Sequence, residues 1–319
     1  MVTNQWSLII YTLLIQAAVG AYIMSYVINK RLTNQIEAEQ ALKLTINVQY
    51  IAGIIAIIGM IASLFHLGSP FKAPNSVLKL GTSWLSREIL LMIIFVVLLF
   101  VTAFLANRSR KMSSALVVIT SLVGLADIYC MSSIYNATFI PAWQGVHTFI
   151  VFYAACFILG SLVAIGSLAF FLGKEKMNTQ NSLYSSILAP TSLIILAAIA
   201  IQIIIVPSYL VSLAASNGAG QASTQLLSEQ YGLVMAIRWL LTLCGGLLLI
   251  FAAWKQLQGS QPIIRQQGFG EAAAASEGAA VQTSPAGLIY LTLAIMVVGE
   301  VIGRYLFYAS GVQTTIGMF

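Results

Sequence analysis

Long apolar runs, each about the length needed to cross a membrane, dominate this sequence. A membrane-spanning α-helix needs about 20 mostly apolar residues, and runs of that length follow one another along the 319 residues. We expect spanning helices over Ser7–Ile28, Leu44–Phe65, Ser86–Ala106, Ser114–Tyr135, His147–Leu172, Tyr184–Val206, Tyr231–Trp254 and Ala286–Ala309. The predicted fold is therefore all-α, a single polytopic membrane bundle of about eight helices over residues 1–319, with no soluble domain.

The composition agrees with lipid as the solvent of this chain. Only 8% of the residues are charged and 59% are hydrophobic, whereas a soluble domain carries about 25% charged residues. The net charge is +6, but the basic residues lie mainly in short connections between apolar runs. Such a distribution predicts membrane topology and a lipid surrounding rather than nucleic-acid binding.

The lysine and arginine residues also predict the orientation in the membrane. The odd-numbered connections carry ten of them and the even-numbered connections, with the adjoining helix start, carry three. Because cytoplasmic loops are enriched in Lys and Arg, we expect the odd connections in the cytoplasm and both termini on the extracytoplasmic side. The connection over residues 255–285 contains GFGEAAAASEGAA, which is typical of a flexible low-complexity loop.

Five ionisable residues lie within or at the edge of predicted spans, where burial makes them costly and hence candidates for function. They are Glu88, Asp127, Arg238, Glu300 and Arg304, and the predicted orientation places all five in the outer half of the bundle. A proton path is one reading of this cluster. A structural network is the other, because Glu300 and Arg304 have the i, i+4 spacing of a helix pair and Asp127 can neutralise Arg238.

A histidine and a glutamate flank the loop between the second and third predicted helices. His66 ends one helix and Glu88 begins the next, so their side chains can face each other. Helix dipoles, with Ser86 as an N-cap, explain both residues without any function. Quinol oxidation explains them equally well, because it needs a hydrogen-bond partner such as imidazole and a carboxylate that accepts a proton.

Metal cofactors are restricted by the small number of ligands. The chain has only two histidines, His66 and His147, and its three cysteines are far apart in the sequence. A bis-histidine haem would need both histidines, and iron–sulfur clusters need grouped thiolates. We therefore expect no haem, no iron–sulfur cluster and no metal site. Trp84, Tyr135 and Trp143 lie near the outer boundary, as interfacial aromatic anchors do.

Two runs of residues carry a resemblance to a known family. The first is the HLGSP run that begins at His66, followed by Asn75 and by Ser-Arg-Glu ending at Glu88. The second is the GEVIGR run over residues 299–304, followed by Phe-Tyr and, near the C-terminus, Gly-Met. Together they resemble the membrane anchor subunit of bacterial dimethyl sulfoxide reductases, the DmsC-type family, over nearly the whole chain.

The resemblance implies a function in anaerobic respiration at the bacterial inner membrane. An anchor of this family oxidises menaquinol near the periplasmic side and passes electrons to an iron–sulfur subunit and then to a molybdopterin subunit. That last subunit reduces a sulfoxide or N-oxide. The resemblance implies that His66 binds the quinol and that Glu88 accepts its proton, with Lys72 and Arg87 as further quinol-binding residues.

Two other classes of function remain open from the sequence. A proton-coupled secondary transporter could use Asp127, Arg238 and Glu300 as its path, but such proteins have broken helices near the membrane midplane. A purely structural anchor would use its polar residues only to hold subunits together. The terminal substrate is not encoded in this chain under either anchor reading.

Overall fold

The computed structural model describes residues 5–65, 79–175, 180–216, 218–259 and 285–312, and these are helical almost throughout. The α-helices, numbered along the chain, are α1 Trp6–Leu32, α2 Ala38–Leu64, α3 Trp84–Ser109, α4 Ser114–Asn136, α5 Val146–Glu175, α6 Gln180–Ala214, α7 Gly218–Gln225, α8 Gly232–Gly259 and α9 Ala286–Ala309. All except the short α7 are long and apolar enough to cross a membrane. The predicted all-α bundle with eight spanning helices is confirmed.

Helix α6 differs most from its predicted bounds. We expected its end at Val206, yet the helix continues to Ala214 with Pro207 inside it. Proline is tolerated within membrane helices when neighbouring groups compensate for the lost backbone hydrogen bond. Contacts with the rest of the bundle also hold the added segment, since the Tyr209 hydroxyl donates to the Ala142 carbonyl at 2.9 Å.

The connections between helices contain further differences from the sequence prediction. The polar helix α7 and the π-helical turn Leu226–Gln230 follow α6, and neither has the apolar periodicity that sequence analysis relies on. The predicted flexible loop 255–285 begins inside α8, which runs to Gly259. The rest of that loop, residues 260–284, lies outside the described residues.

Helices α1 and α5 form the centre of the bundle and are its most enclosed helices. They approach each other so closely that a side chain at Gly20 would collide with the backbone of Cys156 and with Gly160. Small residues at such crossings let membrane helices pack backbone against backbone. The Gly20–Gly160 crossing therefore fixes α1 as the central helix from which polar side chains can reach α3, α4 and α9.

The bundle has two ends, which we name after one residue at each. The Glu88 end contains the starts of α1, α3, α5 and α8, and side chains of α1 and α9 meet there. The Lys30 end contains the ends of α1 and α3 and the starts of α2 and α4. The basic residues Lys30, Arg110 and Lys111 lie at the Lys30 end. That end is cytoplasmic if the predicted orientation holds.

Candidate functional site

Glu88 is held in the first turns of α3 by the local turn that precedes the helix. The Ser83 hydroxyl accepts a hydrogen bond from the backbone N–H of Ser86 at 3.3 Å. The N-cap is therefore Ser83, whereas Ser86 was the predicted cap. Arg87 donates from its guanidinium to the carbonyls of Leu80 at 2.8 Å and Gly81 at 2.7 Å. Arg87 therefore ties the preceding turn to α3, and its contact with quinol stays a prediction.

The carboxyl of Glu88 points into the bundle and not toward lipid or water. Only 3% of the residue is exposed, and its Oε1 accepts a hydrogen bond from the Tyr11 hydroxyl of α1 at 2.9 Å. Tyr11 was not among the site residues predicted from the sequence. The signal that could have found it is a hydroxyl-bearing ring about one turn inside the first helix, at the depth predicted for Glu88.

Asp127 on α4 is the second carboxyl in this region and is completely enclosed. Its exposure is 0%, and neither carboxyl oxygen has a hydrogen-bond partner among the described residues. It lies close enough to Glu88 and Tyr11 for their charges to interact. We name Tyr11, Glu88 and Asp127 the acidic cluster; it joins α1, α3 and α4 near the Glu88 end.

The expected neutralisation of Asp127 by Arg238 does not occur. Arg238 on α8 instead donates from Nη2 to the side-chain oxygen of Gln202 on α6, and its guanidinium packs against Gly303 of α9. The sequence could not place these helices relative to one another. Helix α8 packs mainly against α6 and α9, whereas α4 packs mainly against α3, α1 and α5, so the two opposite charges do not meet.

The expected pair between Glu300 and Arg304 is also absent as a salt bridge, although both residues are buried. Arg304 turns toward α1, where Nη2 donates to the Gln16 side-chain oxygen at 2.7 Å, and its guanidinium lies 3.8 Å from the ring centre of Phe152. Glu300 lies near enough to attract both arginines electrostatically. We name Arg238, Glu300 and Arg304 the basic cluster.

Of the three aromatic residues expected at the interface, Tyr135 is buried inside the bundle and Trp143 is half-buried. The hydroxyls of Tyr135 and Tyr308 share a hydrogen bond of 2.6 Å, and the Trp143 indole N–H donates to the Phe307 carbonyl at 2.7 Å. Both rings meet the end of α9, which the sequence could not place beside Tyr135, and their role as interfacial anchors stays a prediction. Trp84 is half-buried, with the Arg87 guanidinium over its ring.

Of the two histidines, only His147 lies within the described residues. His147, the second residue of α5, stacks on Tyr209 with ring centres 3.7 Å apart, and its Nδ1 is buried without a partner among the described residues. A cavity of about 50 Å³ lies beside it and reaches Arg238. His66 and Lys72 lie outside the described residues, so their proposed contacts with quinol stay predictions.

A multi-pass helical membrane protein with ionisable residues enclosed in its core is the class that this fold and these clusters define. Within that class, residues 1–265 match the family model of the DMSO reductase anchor subunit (DmsC). The chain belongs to this family. It is accordingly a multi-pass protein of the bacterial inner membrane and a membrane anchor for a DMSO reductase complex that also has catalytic and electron-transfer subunits.

Individual relatives agree with this assignment. The chain is 28% identical over 319 residues to the YnfH subunit of an anaerobic dimethyl sulfoxide reductase of Escherichia coli, covering 99% of this chain and 97% of the relative. It is 27% identical over 324 residues to the C subunit of the E. coli anaerobic dimethyl sulfoxide reductase, with the same coverage. The C subunit of the Haemophilus influenzae enzyme is 31% identical over 158 residues, covering 49% of this chain and 55% of the relative.

Proposed function

We propose that this anchor oxidises a quinol, with menaquinol as the expected species, at the acidic cluster near the Glu88 end. The observation that carries the proposal is the enclosed pair of carboxyls, Glu88 and Asp127, with Tyr11 bonded to one of them. Buried carboxyls inside a membrane protein are costly and usually functional. A hydroquinone that loses two electrons also loses two protons, and two neighbouring carboxyls offer places for both.

Glu88 is the residue that we assign as proton acceptor. The Tyr11 hydroxyl fixes the orientation of its carboxyl, and its position in the first turns of α3 leaves it close to the end of the bundle. The hydroquinone becomes a quinone as each hydroxyl O–H bond breaks, its two protons leave by way of Glu88, and its two electrons pass to the iron–sulfur partner. His66 would hydrogen-bond to the ring oxygen, as the family resemblance implies.

Asp127 is assigned as the residue that exchanges protons with Glu88. A carboxyl without a partner in an apolar core must either carry a proton or receive a donor from outside the described residues. In either state it can pass a proton to or from its neighbours in the acidic cluster. Because it is wholly enclosed, Asp127 acts through Glu88 and Tyr11 and does not touch the ring.

A lipid-facing groove between α5 and α6 offers a place for the isoprenoid tail. The groove has a volume of about 410 Å³ and an almost wholly apolar lining that includes Phe149, Tyr153 and Ile194. The Tyr153 hydroxyl donates to the Leu125 carbonyl at 2.9 Å, two residues before Asp127. The groove therefore contacts the part of α4 that carries Asp127, and its apolar lining suits an isoprenoid tail.

Replacement of Glu88 in the assembled complex tests the proposal. Glu88→Gln should lower kcat for reduction of dimethyl sulfoxide by a menaquinol analogue at least about a hundredfold, as expected for loss of a general base. Reduction by an artificial donor that feeds electrons directly to the partner subunits should be unchanged. Glu300→Gln is the matched control, a buried carboxyl outside the acidic cluster, and should keep normal quinol turnover.

Two results would refute the assignment. Normal menaquinol-dependent turnover in Glu88→Gln would remove Glu88 as proton acceptor. If His66→Ala left the affinity for a quinol-site inhibitor unchanged, His66 would be removed from the site. The helices do not support the transporter alternative, since the spanning helices are continuous within the described ranges. Solute counterflow by the purified chain would be evidence in its favour.

A further inference from the structure

A further cavity, separate from those beside His147 and between α5 and α6, lies at the Lys30 end of the bundle. It has a volume of about 260 Å³ and lies between the end of α1, the start of α2 and the connection from α3 to α4. Its lining combines polar residues, among them Asn29, Lys30 and Lys111, with the apolar side chains of Leu42 and Met112. The cavity is thus placed where four helices meet the membrane surface.

The charges around this cavity are strongly positive. Among the described residues, three cations, Lys30, Arg110 and Lys111, line it and no acidic residue does. Arg110 is already paired with Glu39, at 2.6 Å and on the exposed surface. Lys30 and Lys111 form no salt bridge with any described residue, so the lining keeps two uncompensated positive charges.

The adjoining segments do not cancel this positive charge. Within residues 29–45 and 105–115, Arg31, Lys43 and Arg108 add positive charge, and Glu37 is the only acidic residue besides Glu39. Helices α2 and α4 also begin here without a hydrogen bond from an N-cap side chain, so their free N–H groups add a partial positive charge. An anion is therefore the ligand that this cavity favours electrostatically.

We propose that the cavity binds the phosphate of an anionic phospholipid, with phosphatidylglycerol as the test ligand. The phosphate is held between Lys30 and Lys111, while Leu42 and Met112 contact the glycerol and the first methylenes of the acyl chains. Basic pockets between membrane helices suit anionic lipid head groups in this way. The lipid would join α1 to the α3–α4 connection, and this role is independent of quinol oxidation.

Native mass spectrometry of the full chain, with phosphatidylglycerol and phosphatidylcholine offered in equal amounts, tests the proposal. The double variant Lys30→Gln/Lys111→Gln should bind phosphatidylglycerol about thirtyfold more weakly, as expected for two lost charges near a membrane surface. The control Arg31→Gln/Arg108→Gln removes the same charge at the same end but outside the cavity lining. It should lower binding only a few-fold, and phosphatidylglycerol should raise its unfolding temperature as in the unaltered chain.

Three results would overturn the proposal. Equal losses in the two double variants would mean that general surface attraction holds the lipid. Equal binding of phosphatidylcholine and phosphatidylglycerol to the unaltered chain would exclude a charge-selective site. If inorganic phosphate displaced phosphatidylglycerol at comparable concentration, the cavity would be a phosphate site and not a lipid site. Quinol turnover need not change in any of these variants.

Discussion

The acidic cluster and the basic cluster both bury charge at the same end of the bundle, but they satisfy that charge differently. Arg238 and Arg304 each donate to a neutral glutamine side chain on a neighbouring helix. Asp127, by contrast, has no hydrogen-bond partner among the described residues. The satisfaction of the basic cluster is partial, because Nε of both arginines, Nη1 of Arg304 and Oε1 of Glu300 have no hydrogen-bond partner among the described residues. The difference is that each arginine keeps one amide acceptor, whereas both carboxyl oxygens of Asp127 lack a partner there.

This difference indicates two roles. Each arginine connects its helix to another through an amide, so the basic cluster joins α8 to α6 and α9 to α1. Such connections stabilise the packing of helices. The acidic cluster adds little comparable stabilisation, since one of its two carboxyls lacks a partner among the described residues. We therefore expect substitutions in the basic cluster to change stability and substitutions in the acidic cluster to change turnover.

The largest effect on stability is expected from Gln16→Leu. The leucine fits the enclosed site of Gln16 but removes the acceptor of Arg304, leaving a buried charge without that hydrogen bond. Loss of a hydrogen bond to a buried charged group costs about 1.5–3 kcal/mol. The measurement is the free energy of unfolding of the chain in detergent, by titration with a denaturing detergent.

Gln49→Leu is the control for this change. Gln49 is equally enclosed, but it donates to the neutral hydroxyl of Ser25, so its loss should cost only about 1 kcal/mol. The double variant Gln16→Leu/Arg304→Met should recover much of the lost stability, because it also removes the stranded charge. Equal costs for the two single glutamine variants would contradict the special role of the arginine.

A smaller change, this time in turnover, is expected from Asp127→Asn. The amide is isosteric with the carboxyl, so stability should hold, but proton exchange with Glu88 is lost. We expect kcat with a menaquinol analogue to fall about thirtyfold, less than the hundredfold or more expected for a group that acts on the ring itself, with KM unchanged. A drop in unfolding free energy with normal kcat would instead give Asp127 a structural role and contradict the assignment of the acidic cluster to turnover.

Gly303→Ala probes how tightly the basic cluster is packed. A methyl group at this position would lie 2.5 Å from Nε of Arg238, so the guanidinium must move and its bond to Gln202 would weaken. Overpacking of this kind costs about 1–3 kcal/mol. Gly287→Ala on the same helix meets nothing within 4 Å and should be neutral or slightly stabilising, as thermal unfolding in detergent can show.

The helices could be predicted from the sequence because membrane spans are coded locally. Each span needs only its own apolar residues, so the bounds of seven of the eight lay within about six residues of the prediction. The end of α6 was missed because Pro207 is locally a stop signal, and distant partners such as Ala142 override it. The polar helix α7 was missed because it carries no apolar pattern.

The partners of the buried charges could not be predicted, because they depend on which helices are neighbours. Glu88 and Asp127 were correctly singled out as buried ionisable residues, since their cost in lipid is visible from position alone. The acceptors Gln16 and Gln202 were not predicted. The role of a glutamine within an apolar run depends on whether an arginine of another helix lies opposite it. Tyr11 is a similar case: its depth in the first helix could be inferred from the sequence, but its position opposite Glu88 could not.

The smallest effect on kcat is expected from Tyr11→Phe, which tests whether the Tyr11 hydroxyl orients the Glu88 carboxyl. The ring remains, so packing of α1 should be kept, while the hydrogen bond to Glu88 is lost. One such bond is worth about 1 kcal/mol, which corresponds to about a fivefold fall in kcat with the quinol analogue. Tyr22→Phe is a matched control, since Tyr22 is equally enclosed on α1 but lies outside the acidic cluster. If both variants lowered kcat equally, the loss would reflect disturbed packing of α1, and Tyr11 would have no part in orienting the carboxyl.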